Sequence, residues 1–360
     1  MDAVYIHIPF CKKICTYCDF CKIYLNDKFV LPYLNSLANE IKDKYQGEEI
    51  KTIYIGGGTP SSLSIKDIKY LLDLTKIFNI NNLVEFTFEC NLNDINEELL
   101  DLLRSYNVNR LSIGIESFNE KKLSFMNRYH TFDEAKEKIN LCRKYGFNNI
   151  NIDLIYGIPK ETIGVLKKDL KQVLELKPEH ISTYSLIIED NTVIGISKMT
   201  PIDEELDEEM YNQICNILKK KDYIHYEVSN FAKKGYASKH NINYWLNNNY
   251  YGFGLGAHGY IGNIRYENTK SITKYINGDY VLDQTLLSKE EDMNNMIMLG
   301  FRLLNGINLK YFYERYNVNL QEQYDIQKLL DEKKLLYKDG YLMINPKYIY
   351  VMNEILIQLI

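Results

Sequence analysis

Ala3-Val-Tyr-Ile-His-Ile-Pro-Phe-Cys11-Lys-Lys-Ile-Cys15-Thr-Tyr-Cys18-Asp-Phe-Cys21 places a strand-like apolar run directly before four cysteines packed into eleven residues. The run is rich in β-branched and aromatic side chains, which suit a pleated strand, and Pro9 closes it. A strand that opens into a loop of closely spaced thiols is built to hold a metal centre. The plain alternative is a structural zinc site, but such sites usually combine two ligand pairs a dozen or more residues apart. Here Cys11, Cys15 and Cys18 crowd into one loop with spacing C-x3-C-x2-C, and no second pair lies nearby. Iron–sulfur clusters take thiolates from a single short loop. Three thiolates on a four-iron cube leave one iron open, as a ligand-binding centre requires.

Working outward, apolar β-branched runs recur at residues 4–8, 52–55, 84–88, 110–115, 149–155 and 180–187. Segments with helical apolar spacing separate them, at 29–45, 65–75, 97–105, 134–145 and 165–176. Strands alternating with helices of this length form parallel βαβ units with right-handed crossovers. Six units are too few for a closed eight-stranded barrel, so the expected class is α/β, a partial (β/α)6 barrel open on one side. Its site should lie on the strand C-terminal rim. Beyond residue 189 the pattern changes. A helix is expected at 204–220, then a glycine- and aromatic-rich stretch at 229–260, then helices at 290–304, 309–316 and 324–332. Asp339-Gly340 between apolar runs predicts a hairpin. The last part therefore reads as a C-terminal α+β winged-helix-like unit. The expected division is residues 1–200, 201–285 and 286–360.

With 46% hydrophobic and 25% charged residues in 360, a sizeable core is expected. The net charge of −5 gives no general attraction to nucleic acid or anionic membranes. No apolar run reaches the ~18 residues of a spanning helix, so no transmembrane segment is expected. Seven cysteines without a visible secretory signal argue for metal ligation in a reducing, cytoplasmic compartment.

The Cys11-x3-Cys15-x2-Cys18 loop after a strand resembles the radical S-adenosylmethionine (SAM) superfamily. Tyr5-Ile-His-Ile-Pro9-Phe10-Cys11 is similar to the branch containing oxygen-independent coproporphyrinogen III oxidase, and the likeness extends over nearly the whole chain. It implies a [4Fe-4S] cluster on Cys11, Cys15 and Cys18, SAM on the open iron, and electron transfer that cleaves SAM to a 5′-deoxyadenosyl radical. By match, the SAM contacts are Tyr5, Tyr17, Gly57, Gly58, Thr59, Glu89, Glu116, Arg128 and Asp153. Two positions depart from the pattern: Glu116 stands where the family usually has glutamine, and Asn127 stands for glycine before Arg128. Each has a plain alternative, respectively a flexible turn for the glycines, solvated rim residues for the glutamates and a surface arginine. Cys90, Cys142 and Cys215 read as small apolar residues, and Cys21 is not matched as a ligand.

His240-Asn-Ile-Asn-Tyr244-Trp245 carries the only tryptophan. Its plain reading is a packed aromatic turn. It also resembles the motif marking the haem-chaperone subgroup of this branch, which implies haem as cargo, with His240, Tyr244 and Trp245 as haem candidates. The partner implied is a haem-acceptor protein, a membrane-associated respiratory haemoprotein being one candidate. The competing reading is the oxidase, which converts two propionates to vinyls. The resemblance favours the chaperone on three counts. Cys11 comes early, whereas a longer N-terminal extension precedes the oxidase loop; Cys21 follows Cys18 at x2 rather than x1; and the His240 motif is present. A third reading, an iron–sulfur winged-helix nucleic-acid binder, is disfavoured because basic residues are sparse at 337–344.

Overall fold

The computed structural model describes residues 2–360. The chain begins with β1 (Ala3–Ile8), followed by the two-residue strands β2 (Phe10–Cys11) and β3 (Ile23–Tyr24), which pair in parallel and clamp the two ends of the cysteine loop. Then α1 (Asp27–Lys44), β4 (Thr52–Gly57), α2 (Ile65–Leu74), β5 (Glu85–Asn91), α3 (Glu97–Ser105) and β6 (Arg110–Glu116) follow. The short α4 (Glu120–Phe125) and α5 (Phe132–Lys144) lead to β7 (Ile150–Tyr156), and α6 (Ile163–Glu175) leads to β8 (His180–Ser185). The crossover helices start where a polar side chain satisfies free backbone N–H groups: Ser64, Asn96 and Thr162 cap α2, α3 and α6, and Thr131 with Glu134 forms a capping box on α5.

The second half adds α7 (Val193–Ile196), α8 (Glu204–Lys219), β9 (Ile224–Glu227), β10 (Asn230–Ala232), α9 (Lys239–Trp245), β11 (Tyr250–Phe253), β12 (His258–Ile261) and β13 (Ile264–Asn268). It continues with α10 (Ile272–Ile276), β14 (Val281–Leu286) and α11 (Lys289–Gly300). Among the described residues one twelve-stranded sheet runs β14-β13-β12-β11-β1-β4-β5-β6-β7-β8-β10-β9, with two free ends, so the barrel is open as expected. The apolar runs of β1 and β4 through β8 are nearly continuous because helices cover the sheet, the pattern of buried parallel strands.

The sheet holds one parallel strand more than the six expected. β11 pairs in parallel with β1, Ala3 opposite Tyr250 and Ile6 opposite Phe253. Its four residues, Tyr250-Tyr-Gly-Phe253, are too few to show a period. Two helices also differ from expectation. α11 stops at Gly300 rather than at 304 because the chain leaves the helix to pair with β9, where Leu304 N donates to Tyr226 O at 3.0 Å. After β15 (Ile307–Asn308) and α12 (Leu309–Tyr316), the helix expected at 324–332 shrinks to α14 (Gln327–Asp331), with a separate short α13 (Leu320–Gln323) ahead of it. Between them Tyr324 is extended and its hydroxyl donates to Asn294 on α11 at 2.7 Å. The predicted hairpin forms as β16 (Leu335–Lys338) and β17 (Tyr341–Ile344), with Asp339 and Gly340 both at positive φ as a two-residue turn requires.

Candidate functional site: a cavity joining the cysteine loop to the barrel interior

A cavity of about 680 Å³ extends from the cysteine loop into the barrel. Cys11, Cys15, Cys18 and Tyr17 line it, together with Gly57, Gly58, Thr59, Glu89, Glu116, Arg128 and Asp153 from the strand ends and the segment after α4. Eleven of the twelve residues carried over for cluster and SAM therefore meet in one space; Tyr5 does not line it. The Tyr5 hydroxyl instead bonds His7 Nδ1 at 2.9 Å, and its ring lies 6.1 Å from that of Tyr54.

The loop is held on both flanks. Ile23 N donates to Pro9 O at 2.8 Å and Leu25 N to Cys11 O at 2.9 Å. The Thr16 hydroxyl donates to Phe125 O at 2.8 Å, and Asn127 Nδ2 donates to Ile14 O at 3.0 Å. All seven cysteines are free thiols. Burial pushes the Cys11 thiol up and the Cys18 thiol up to about 11, so binding a metal centre here displaces protons. Among the described residues no three ligating side chains converge on one point. Three free thiols from one short loop line a single cavity, a donor set that fits a four-iron cluster. Cys21 faces elsewhere, toward Gly256, and its carbonyl accepts from His7 Nε2 at 2.6 Å.

The glycine run packs against site residues. Gly57 has φ 115°, and a Cβ there would meet the His7 ring at 2.6 Å; a Cβ on Gly58 would meet Pro9 backbone at 2.8 Å and Cys11 Sγ at 3.0 Å. Gly57 N donates to Glu89 Oε2 at 3.0 Å, and the Tyr54 hydroxyl donates to Glu89 Oε1 at 2.6 Å. The backbone N–H of Gly57 is thus spent on Glu89 rather than pointed at a ligand. Arg128 Nη2 lies 3.1 Å from Glu116 Oε1, and Nη1 donates to Gly114 O at 2.9 Å. Glu116 sits at a register shift between β6 and β7 with φ 67°. A bulky residue at positive φ is strained, and such strain concentrates at functional sites. Burial raises both Glu89 and Glu116 to about 7 despite their donors, and raises Asp153, which accepts from Asn151 Nδ2 at 2.8 Å.

His240, Tyr244 and Trp245 do not line the cavity. Ser238 caps α9, and the buried carboxylate of Glu85 accepts from Ser238 Oγ, Lys239 N and His240 N at 3.2, 2.9 and 3.0 Å. An acid against free N–H groups at a helix start is a strong local anchor. His240 is 1% exposed, with Nδ1 bonded to Thr52 Oγ1 at 2.9 Å and Nε2 to the Tyr244 hydroxyl at 2.7 Å. Neither imidazole nitrogen is free to take iron in this arrangement. Among the cavity-lining residues, Arg110 at the start of β6 and Arg302 carried no sequence signal, whereas Asn241 belongs to the α9 motif. Arg302 lies 4.6 Å from the Trp245 ring, so the motif reaches the cavity through its neighbours.

Residues 5–173 match the Radical SAM superfamily, and residues 287–351 match the HemN C-terminal domain. The chain is 38% identical to the heme chaperone HemW of Lactococcus lactis subsp. lactis over 94% of this chain and 91% of that protein. It is 38% identical to its Bacillus subtilis counterpart (94% and 93%) and 36% to that of Escherichia coli (84% and 83%). In fold it is similar to the Escherichia coli coproporphyrinogen III oxidase HemN, with a TM-score of 0.86 and 21% identity over 99% of this chain and 89% of that one. An open parallel barrel, a three-cysteine loop on its rim and this extent of identity together place the chain in the heme chaperone HemW family of the radical SAM superfamily.

Proposed function

We propose that this protein binds haem and passes it to an acceptor haemoprotein in the cytoplasm or at the cytoplasmic membrane face, with a [4Fe-4S] cluster and SAM in the cavity. The observation that carries this reading is 38% identity over 94% of the chain with proteins named heme chaperones. When bound, the cluster supplies one-electron chemistry to SAM. The chain's own part is binding and orientation. Cys11, Cys15 and Cys18 hold the cluster. Tyr17 packs beside it. Arg128, already paired with Glu116, offers a cationic wall to a ligand carboxylate, and Glu89 and Asp153 accept from amino and hydroxyl groups. The buried α9 motif backs Glu89, since the Tyr54 ring lies 5.2 Å from that of His240 while its hydroxyl donates to Glu89.

The test is anaerobic reconstitution, haem titration, and transfer from the loaded protein to an apo-haemoprotein. Coproporphyrinogen III, SAM and reductant are supplied in parallel. Haem binding and transfer without vinyl product are expected; conversion to protoporphyrinogen IX would replace the chaperone by the oxidase.

A further inference from the structure

Arg110 is 2% exposed, yet its side chain makes one long hydrogen bond, Nη1 to Thr87 Oγ1 at 3.5 Å, and its Nε has no partner. It has no ion pair among the described residues. Other sequestered cations do: Lys122 lies 2.6 Å from Glu161 and 3.0 Å from Asp169, and Arg315 lies 2.9 Å from Asp292. A buried guanidinium with most of its five donors unused is costly, and native proteins rarely leave one so. Arg110 lines the cavity, and so does the half-buried Arg302, whose Nε is likewise unpartnered. At the other extreme of polarity, the exposed side chains of Phe20, Tyr184 and Ile187 line the same cavity. The space thus offers apolar surface together with a buried guanidinium that makes no ion pair among the described residues, Glu89 and Asp153 acting on it only through space. That combination suits a ligand with a large apolar body and a carboxylate edge. A guanidinium fork matches a carboxylate through two parallel N–H bonds.

We propose that Arg110 is the receptor for a carboxylate of the cargo, which under the haem reading is a porphyrin propionate, with Arg302 as a second cation for its twin. The proposal rests on that reading and deepens it. It also gives the α9 motif a second task, because Trp245 backs Arg302 and Asn241 shares the cavity wall.

The test uses the reconstituted full-length protein under anaerobic conditions. Haem and haem dimethyl ester, in which both propionates are blocked, are titrated against wild type, R110Q and R110K, with SAM binding measured alongside. Wild type should bind haem at least tenfold more tightly than the diester. R110Q should weaken haem at least tenfold while leaving the diester and SAM unchanged, and R110K, which keeps charge without the fork, should fall between. Equal weakening of haem and diester, or unchanged haem affinity in R110Q, overturns the proposal. Loss of SAM in place of haem assigns the carboxylate to SAM and also overturns it. If wild type binds neither porphyrin, the haem reading itself fails and takes the proposal with it.

Discussion

The cysteine loop and the α9 motif are the two stretches with the strongest chemical character, and the fold treats them in opposite ways. The loop brings its three thiols to the wall of a cavity without disulfides, Cys11 Sγ making a long contact to Thr59 Oγ1 at 3.5 Å. The α9 motif turns its imidazole inward and satisfies both nitrogens, with Thr52 and Tyr244. A polar group that the protein leaves weakly bonded at a cavity wall is available to a ligand; one fully bonded inside is serving the fold. By that standard we propose the loop as the binding part and His240 as a support.

The sharpest way to break this contrast is at the thiols. Cys11→Ala, Cys15→Ala or Cys18→Ala should each abolish cluster content in iron and sulfide analysis, while Cys21→Ala keeps it; full iron in any of the first three would remove the assignment. At the motif, the effect should be on stability. Glu85→Gln removes the charge that anchors α9 and should cost about 2–3 kcal/mol in urea unfolding, from hydrogen bonds to a charged acceptor. His240→Ala strands Thr52 and Tyr244 and should cost about 2 kcal/mol. Its haem affinity, measured on the folded fraction, should stay within about twofold of wild type; a larger specific loss would return His240 to the list of iron ligands.

A third measurement is graded with pH. Glu89 and Glu116 have values near 7 in the folded protein against an ordinary 4.5. Between these limits the folded state holds more protons than the unfolded one. Their contribution is therefore complete below about 4.5 and is lost as the pH rises toward 7. The cofactor-free protein should lose stability across that window, and Glu116→Gln should flatten the slope; an unchanged slope would mean Glu116 is ionised when buried. The smallest effect belongs to the loop's outer edge. Lys12 pairs with Asp94 at 2.7 Å, but the lysine side chain is 56% exposed. Lys12→Ala should cost no more than about 0.5 kcal/mol and leave cluster content intact.

What the sequence made legible follows the same division. Cys11, Cys15 and Cys18 declared themselves by spacing, and the strands of the barrel by continuous apolar runs, because both signals are local. Arg110 was invisible as a ligand residue: it reads as an ordinary charged residue opening a strand, and only the surrounding burial shows that it lacks an ion pair among the described residues. Glu85 was equally silent, since its partners Ser238 and His240 lie more than 150 positions away. Glu116 was found as a position, but its left-handed backbone was not, because strain at a bulge is imposed by the register of β7. His240 was ambiguous. A histidine among aromatics suits a haem iron and a packed core alike, and the sequence has no means of separating them.

The pairing of β1 with β11 also has a consequence for synthesis. Ala3 meets Tyr250 across the sheet, so the strand that carries the cysteine loop keeps one bare edge until the chain is more than two-thirds made. At ~5–20 residues per second that wait is on the order of 10–50 s. During it the thiols sit on an unfinished edge, open to oxidation and to stray metal. The strand that carries the cysteine loop is thus the last-closed edge of the parallel core, and its folding is expected to wait on β11.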